Sequence, residues 1–166
     1  SLHDALPICY SGLLHRPLLW TPLLAEIRAR VQEIMPNALF IGEEAVAADA
    51  SLLGKLADAD LAVVVNPNNP DGRQWTPDVL ERLAGRVGLL VVDESFSDPC
   101  PELSLAPRLA DLGEHVLVLR SFGKFFGLAG LRLGFALGGA AMVAHLRSLA
   151  GPWAVSGPAI VTGMAG

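Results

Sequence analysis

Val116-Leu117-Val118-Leu119-Arg120-Ser121-Phe122-Gly123-Lys124-Phe125-Phe126-Gly127-Leu128-Ala129-Gly130-Leu131-Arg132 is the stretch on which the reading of the fold turns. It begins with an apolar, β-branched run of the kind that forms a buried strand. A second apolar run, residues 131–137, leaves it. Between the two lies a glycine-punctuated loop that carries Ser121 and Lys124, with Arg132 at its exit. A lysine among apolar and aromatic neighbours is desolvated when charged, which favours the neutral amine. The neutral amine is the form that makes a Schiff base with an aldehyde. A solvated lysine on a surface loop has the same local pattern, so the rest of the chain has to choose between the two.

Upstream, Asp60-Leu61-Ala62-Val63-Val64-Val65 and Val87-Gly88-Leu89-Leu90-Val91-Val92 are continuous apolar runs closed by polar clusters. Such runs belong to parallel strands covered on both faces. Thr76-Pro77 opens a helix, with Thr as N-cap and Pro at the first helical position. Val79, Leu80 and Leu83 are its buried stripe. Thr21-Pro22 repeats that start, with Leu23, Leu24, Ile27, Val31 and Ile34 on one face and Pro36 as the stop. Leu39-Phe40-Ile41 is a short strand, and residues 51–57 are a weak helix. Residues 94–115 before the central strand read as a loop rich in Pro and Ser. Helical signals return over residues 139–149 and end at Gly151-Pro152. Residues 1–10 show no periodicity, and Ser1-Leu2-His3-Asp4-Ala5-Leu6-Pro7-Ile8 reads as a translated sequencing adapter rather than evolved protein.

Strands alternating with helices predict an α/β fold with a mostly parallel sheet. Ligands in such sheets bind beyond the carboxyl ends of the strands. Three polar sets fall there: Asn66 to Arg73, Asp93 to Asp98 and Arg120 to Lys124. Composition agrees, since 52% of the 166 residues are hydrophobic, which suits a sheet covered by helices. A net charge of −5 without a basic stripe disfavours nucleic acid and anionic membranes as partners. The longest apolar stretch, residues 125–146, is interrupted by Arg132 and several glycines and is no membrane span. Cys9 and Cys100 are far apart, and His3, His15, His115 and His145 are scattered, so no metal site is expected.

Each polar set has its own chemistry. Asn66-Pro67-Asn68-Asn69-Pro70-Asp71-Gly72-Arg73 has the composition of a turn, yet two Asn-Pro steps exceed what a turn needs, and an Asn amide can donate to a ring oxygen. Asp93 ends an apolar run, where a carboxylate is costly unless a cation or donor meets it. Ser121 and Arg132, three before and eight after Lys124, are residue types that hold phosphate.

Asn-Pro-Asp-Gly after one strand, Asp at the end of the next, and Ser-x-x-Lys with Arg eight later resemble the large domain of fold-type I pyridoxal-phosphate enzymes, the aminotransferase class I/II family. The resemblance implies an α/β three-layer sandwich with a mostly parallel sheet. Residues 56–166 would be part of the cofactor-binding large domain, residues 1–55 match poorly, and a carboxy-terminal small domain is missing. The implied cofactor is pyridoxal 5'-phosphate. Lys124 would bond to it covalently, Asp93 would pair with its ring nitrogen, and Asn69 would donate to the ring oxygen. Ser121 and Arg132 would hold the phosphate. The implied partners are a small phosphorylated amino-acid substrate and, for the full-length parent, a second copy as a homodimer, with a cytoplasmic location.

Within the family, residues 91–99, 101–107, 119–138 and 151–159 are most similar to the threonine-phosphate decarboxylase group of cobalamin biosynthesis. The neighbouring histidinol-phosphate aminotransferases usually have Tyr at the place of Phe96 and Ser at that of Gly123. Residues 1–55 show neither the expected Gly/Ser phosphate turn nor an aromatic to stack on the ring, and the arginine that grips the substrate carboxylate is missing. The expectation is therefore an incomplete site.

Overall fold

The computed structural model describes residues 6–8, 31, 33–41, 59–69 and 71–165. Their frame is a six-stranded sheet of order β1-β6-β5-β4-β3-β2. The strands are β1 (Leu6–Ile8), β2 (Ala38–Ile41), β3 (Leu61–Val65), β4 (Leu89–Asp93), β5 (Val116–Ser121) and β6 (Gly134–Gly138). β2 to β5 run parallel, and β6 lies antiparallel between β5 and β1. This is the mostly parallel α/β sheet that the apolar runs predict.

The register explains the core. Ala62 pairs with Leu90 and Leu90 with Val116, while Val64, Val92 and Val118 form the next row. All six are buried and pack against Leu80, Leu83 and Ala84 of helix α1 (Pro77–Ala84), and against Trp75 and Leu105. Burying each such Leu or Val contributes about 1.5–3 kcal/mol. Intervening residues on the other face, among them Val63, Val65, Val91 and Asp93, are half-buried. The sequence predicts cover on both faces; the described residues cover one face fully. An apolar run reports that a strand lies inside a sheet, not how deeply its second face is covered.

Other expectations are corrected in detail. Thr76 occupies the N-cap of α1 in extended backbone, but its side chain makes no cap bond. Its carbonyl instead accepts from Val79 N and Leu80 N at 3.0 and 3.1 Å. Ile34, expected on a buried stripe, is 83% exposed. Residues 94–115 are not plain loop. They hold 3-10 turns at Pro101–Leu103, Ala106–Arg108 and Gly113–His115 and the short helix α2 (Leu109–Leu112). Elements of three or four residues are too short for any period to show. For the same reason β1 escapes the reading of residues 1–10. Helix α3 (Ala140–Ala150) is where the sequence places it, but α4 (Gly157–Ala165) is not anticipated. Its residues, Gly-Pro-Ala-Ile-Val-Thr-Gly-Met-Ala, lack charged side chains to mark a solvent face. The helix start at Thr21-Pro22 and the weak helix at 51–57 lie outside the described residues. Among the described residues no helix is long and apolar enough to cross a membrane.

Candidate active site

The parallel strands deliver their carboxyl ends to one edge of the sheet. Val65 lies beside Asp93, and Asp93 beside Leu119. The ladder runs one residue further, with Asn66 N donating to Asp93 O at 2.9 Å and Glu94 N to Leu119 O at 2.8 Å. The three polar sets are therefore neighbours. Strand alternation sorts them into two faces. Asp93 and Ser121 share the half-buried face, while Asn66, Glu94 and Arg120 continue the buried one.

On the half-buried face, Asp93 Oδ1 accepts from the N–H of Ser95 at 2.9 Å and from its hydroxyl at 2.5 Å. These bonds fix the carboxylate at the strand end. The Ser121 hydroxyl accepts from Gly123 N at 3.2 Å. Phe122 N donates to Leu133 O at 3.1 Å, which closes the lysine loop onto the residue after Arg132. Gly123 suits a close approach, because a Cβ there would stand 3.2 Å from Ala129 Cα. Gly127 turns the loop at φ +67°.

Lys124 is exposed, and its Nζ lies 5.3 Å from the centroid of the Phe96 ring. This corrects the expectation of a lysine enclosed by apolar neighbours. Phe125 and Phe126 are 59% and 46% exposed, and Phe126 stacks on Phe122 with centroids 4.6 Å apart.

Arg132 sits at φ 52°, closing the 3-10 turn Ala129–Leu131. A non-glycine residue in this left-handed region carries strain on the order of 1 kcal/mol or more. Its Nη1 donates to Ala129 O at 3.1 Å. Its Nε is buried and has no hydrogen-bond partner among the described residues. A buried N–H without an acceptor is uncommon, and a guanidinium is built to meet an anion. Ser121 and Arg132 bracket one loop, and that loop is closed at Phe122. The residues present thus fit the phosphate of the implied cofactor, with Asp93 on the same sheet face as Ser121.

Asn69 is exposed on the adjoining turn and makes no bond to the other four residues. Its turn is built by its neighbours. Asn68 Nδ2 donates to Asp71 Oδ1 at 2.8 Å, and Arg73 N donates to the same oxygen at 3.0 Å. The Arg73 N–H first, and the Asn68 amide second, hold the Asp71 carboxyl below the usual carboxylate range. The Asn66-Pro67 peptide is cis.

Three residues that sequence reasoning missed lie on the opposite, buried face. Asn66 Oδ1 accepts from Trp75 N at 2.9 Å, and its Nδ2 donates to Trp75 O at 3.0 Å and Leu103 O at 3.2 Å. Glu94, fully buried, accepts from Leu105 N and from the Ser104 hydroxyl, each at 2.6 Å. Arg120 Nη1 donates to Glu94 at 3.1 Å and its Nη2 to Asp98 at 2.6 Å. The available signal was parity: a polar residue one step past a strand-end aspartate must face the other way.

The family model for aminotransferase class I and II matches residues 46–165, and the chain belongs to that family. At finer grain, the threonine-phosphate decarboxylase of Sinorhizobium sp is 50% identical over 117 residues, covering 64% of this chain and 35% of the relative. The threonine-phosphate decarboxylase of Pseudomonas aeruginosa is 51% identical over 107 residues, 62% of this chain and 32% of the relative. The histidinol-phosphate aminotransferase of Blochmanniella pennsylvanica is 36% identical over 114 residues, 67% of this chain and 32% of the relative. The solved structure of L-threonine-O-3-phosphate decarboxylase from Porphyromonas gingivalis aligns with a TM-score of 0.57 at 26% identity, over 63% of this chain and 33% of that one. The chain thus spans 32–35% of the length of the curated relatives it matches.

Proposed function

We propose that this chain is the cofactor-holding part of a pyridoxal-phosphate enzyme that decarboxylates L-threonine O-3-phosphate to (R)-1-amino-2-propanol O-2-phosphate in cobalamin biosynthesis. The carrying observation is the difference in identity, 50–51% to threonine-phosphate decarboxylases against 36–40% to histidinol-phosphate aminotransferases. Phe96 and Gly123 support it, because both lie in the lysine site and neither is the residue usual in the aminotransferases.

Bound pyridoxal phosphate supplies an electron sink for the bond broken at the substrate's Cα. The chain's own residues hold it in place. Lys124 offers an exposed primary amine to the aldehyde carbon. Asp93 accepts both Ser95 bonds on Oδ1, and its carboxylate would face the ring nitrogen and keep it protonated. The Ser121 hydroxyl and Arg132 Nε would donate to the phosphate. Asn69 would reach the ring oxygen from the adjoining turn, without help from Phe96, which has no hydroxyl to donate. Lys124 would also move the proton at Cα once its amine is released. The 166 residues alone are proposed to be inactive, since the carboxylate grip on the substrate and a stacking aromatic are absent from the site described. The full-length parent is proposed to be a cytoplasmic homodimer.

The test feeds threonine phosphate, and separately histidinol phosphate with 2-oxoglutarate, to the complete reading frame containing these residues. The expected result is CO2 release from the first and little amino transfer from the second. The reverse pattern makes it an aminotransferase. The same assay on residues 1–166 should match its Lys124→Ala control.

A further inference from the structure

Arg120, near the end of β5, forks onto two carboxylates of the segment that follows β4. Nη1 reaches Glu94, the residue after Asp93, at 3.1 Å, and Nη2 reaches Asp98, two residues after Phe96, at 2.6 Å. Arg120 itself immediately precedes Ser121 and opens the lysine loop. Its side chain is 26% exposed, Asp98's 14% and Glu94's 0%. A carboxylate with no exposure needs a cation and donors around it, and Glu94 receives Arg120, the Ser104 hydroxyl and Leu105 N. The planar guanidinium can hold two carboxylates at a fixed spacing, which a lysine ammonium cannot reproduce.

We propose that Arg120 is a positioning residue: through Glu94 and Asp98 it locks the Asp93 strand end and the Phe96 loop to the start of the Ser121–Lys124 loop. Asp93 and Ser121, which would meet the ring nitrogen and the phosphate, sit on the opposite face of the same strands, each one residue away from a member of the fork, and Lys124 follows three residues after Ser121. Loosening the fork lets the Phe96 ring drift from Lys124 and lets Asp93 and Ser121 shift relative to each other. The inference rests on the reading of Lys124 and Asp93 as cofactor residues.

The test compares the complete protein with Arg120→Lys, which keeps the charge and loses the fork, and Asp98→Ala, which leaves the buried Glu94–Arg120 pair in place. Arg108→Lys is the control. It alters an exposed pair, Arg108 with Asp78 and Glu81, away from the lysine loop. The readouts are the dissociation constant for pyridoxal phosphate, the pH midpoint of the lysine adduct's absorbance, and the melting temperature without cofactor. Both fork variants should bind the cofactor on the order of tenfold more weakly, the lower end of what losing a supporting partner costs a held group. Both should shift the pH midpoint, and Arg108→Lys should do neither. Lowered melting with unchanged affinity and midpoint, measured well below melting, overturns the inference and leaves Arg120 a fold-stabilising residue. If Arg120→Lys does not fold, unchanged binding by Asp98→Ala overturns it equally. A parent protein that forms no adduct at Lys124 defeats the functional reading, and this inference falls with it. A parent that forms the adduct, with affinity and pH midpoint unchanged in both fork variants, defeats the inference alone.

Discussion

Arg132 shows what a single residue contributes. Its left-handed backbone and its buried, unpartnered Nε are both costs in the protein alone, and a phosphate would offset the second. Asn adopts the left-handed region more readily than Arg. Arg132→Asn should therefore leave cofactor-free stability within about 1 kcal/mol of the parent, while pyridoxal phosphate binds measurably more weakly by fluorescence titration. Unchanged affinity would remove Arg132 from the phosphate site. Asp71 makes a complementary point about pH. Its carboxyl titrates lower folded than unfolded because Arg73 N and Asn68 donate to it, so its contribution is present above the ordinary carboxylate range. That contribution fades only as pH falls through the lowered folded value. Carbon NMR should place the Asp71 midpoint below that of the same residue in an unstructured peptide spanning Asn66 to Arg73, and equal midpoints would contradict the turn.

At the scale of elements, the core row Ala62–Leu90–Val116 joins three strands. Leu90 is fully buried, so Leu90→Ala should cost about 2–5 kcal/mol of stability, read by chemical denaturation. A loss under about 1 kcal/mol would mean the row is not packed as described. β3, β4, β5 and α1 were legible because apolar runs of four to six residues and a Thr-Pro start are strong local signals. The site edge followed from the rule that parallel sheets bind ligands beyond the carboxyl ends of their strands. The turns within 94–115 and the helix at Gly157–Ala165 were not legible, the first being shorter than any period and the second having no polar face. The exposure of Lys124 was not foreseen. Aromatic neighbours in sequence, Phe125 and Phe126, turn to each other with ring centroids 5.3 Å apart, and Phe126 stacks on Phe122 at 4.6 Å. The Asn66, Glu94 and Arg120 layer was missed because its meaning depends on register, which strand pairing sets and composition does not.

Over the whole molecule, the sheet carries two polar rows at one edge, a chemical row on the half-buried face and a supporting row on the buried one. Apolar side chains are also displayed near the end of the described chain, where Trp153 is 95% exposed and Met164 84%. The chain spans 32–35% of the length of the curated relatives it matches. The central claim is that this edge holds pyridoxal phosphate through Lys124, and the sequence offers one other lysine, Lys55, which lies outside the described residues. The direct measurement is to mix the complete protein with pyridoxal phosphate, reduce it with borohydride, digest it and locate the labelled lysine by mass spectrometry. The account predicts stoichiometric label on Lys124 and none in a Lys124→Ala variant; label on Lys55, or the same total label in the variant, would contradict it.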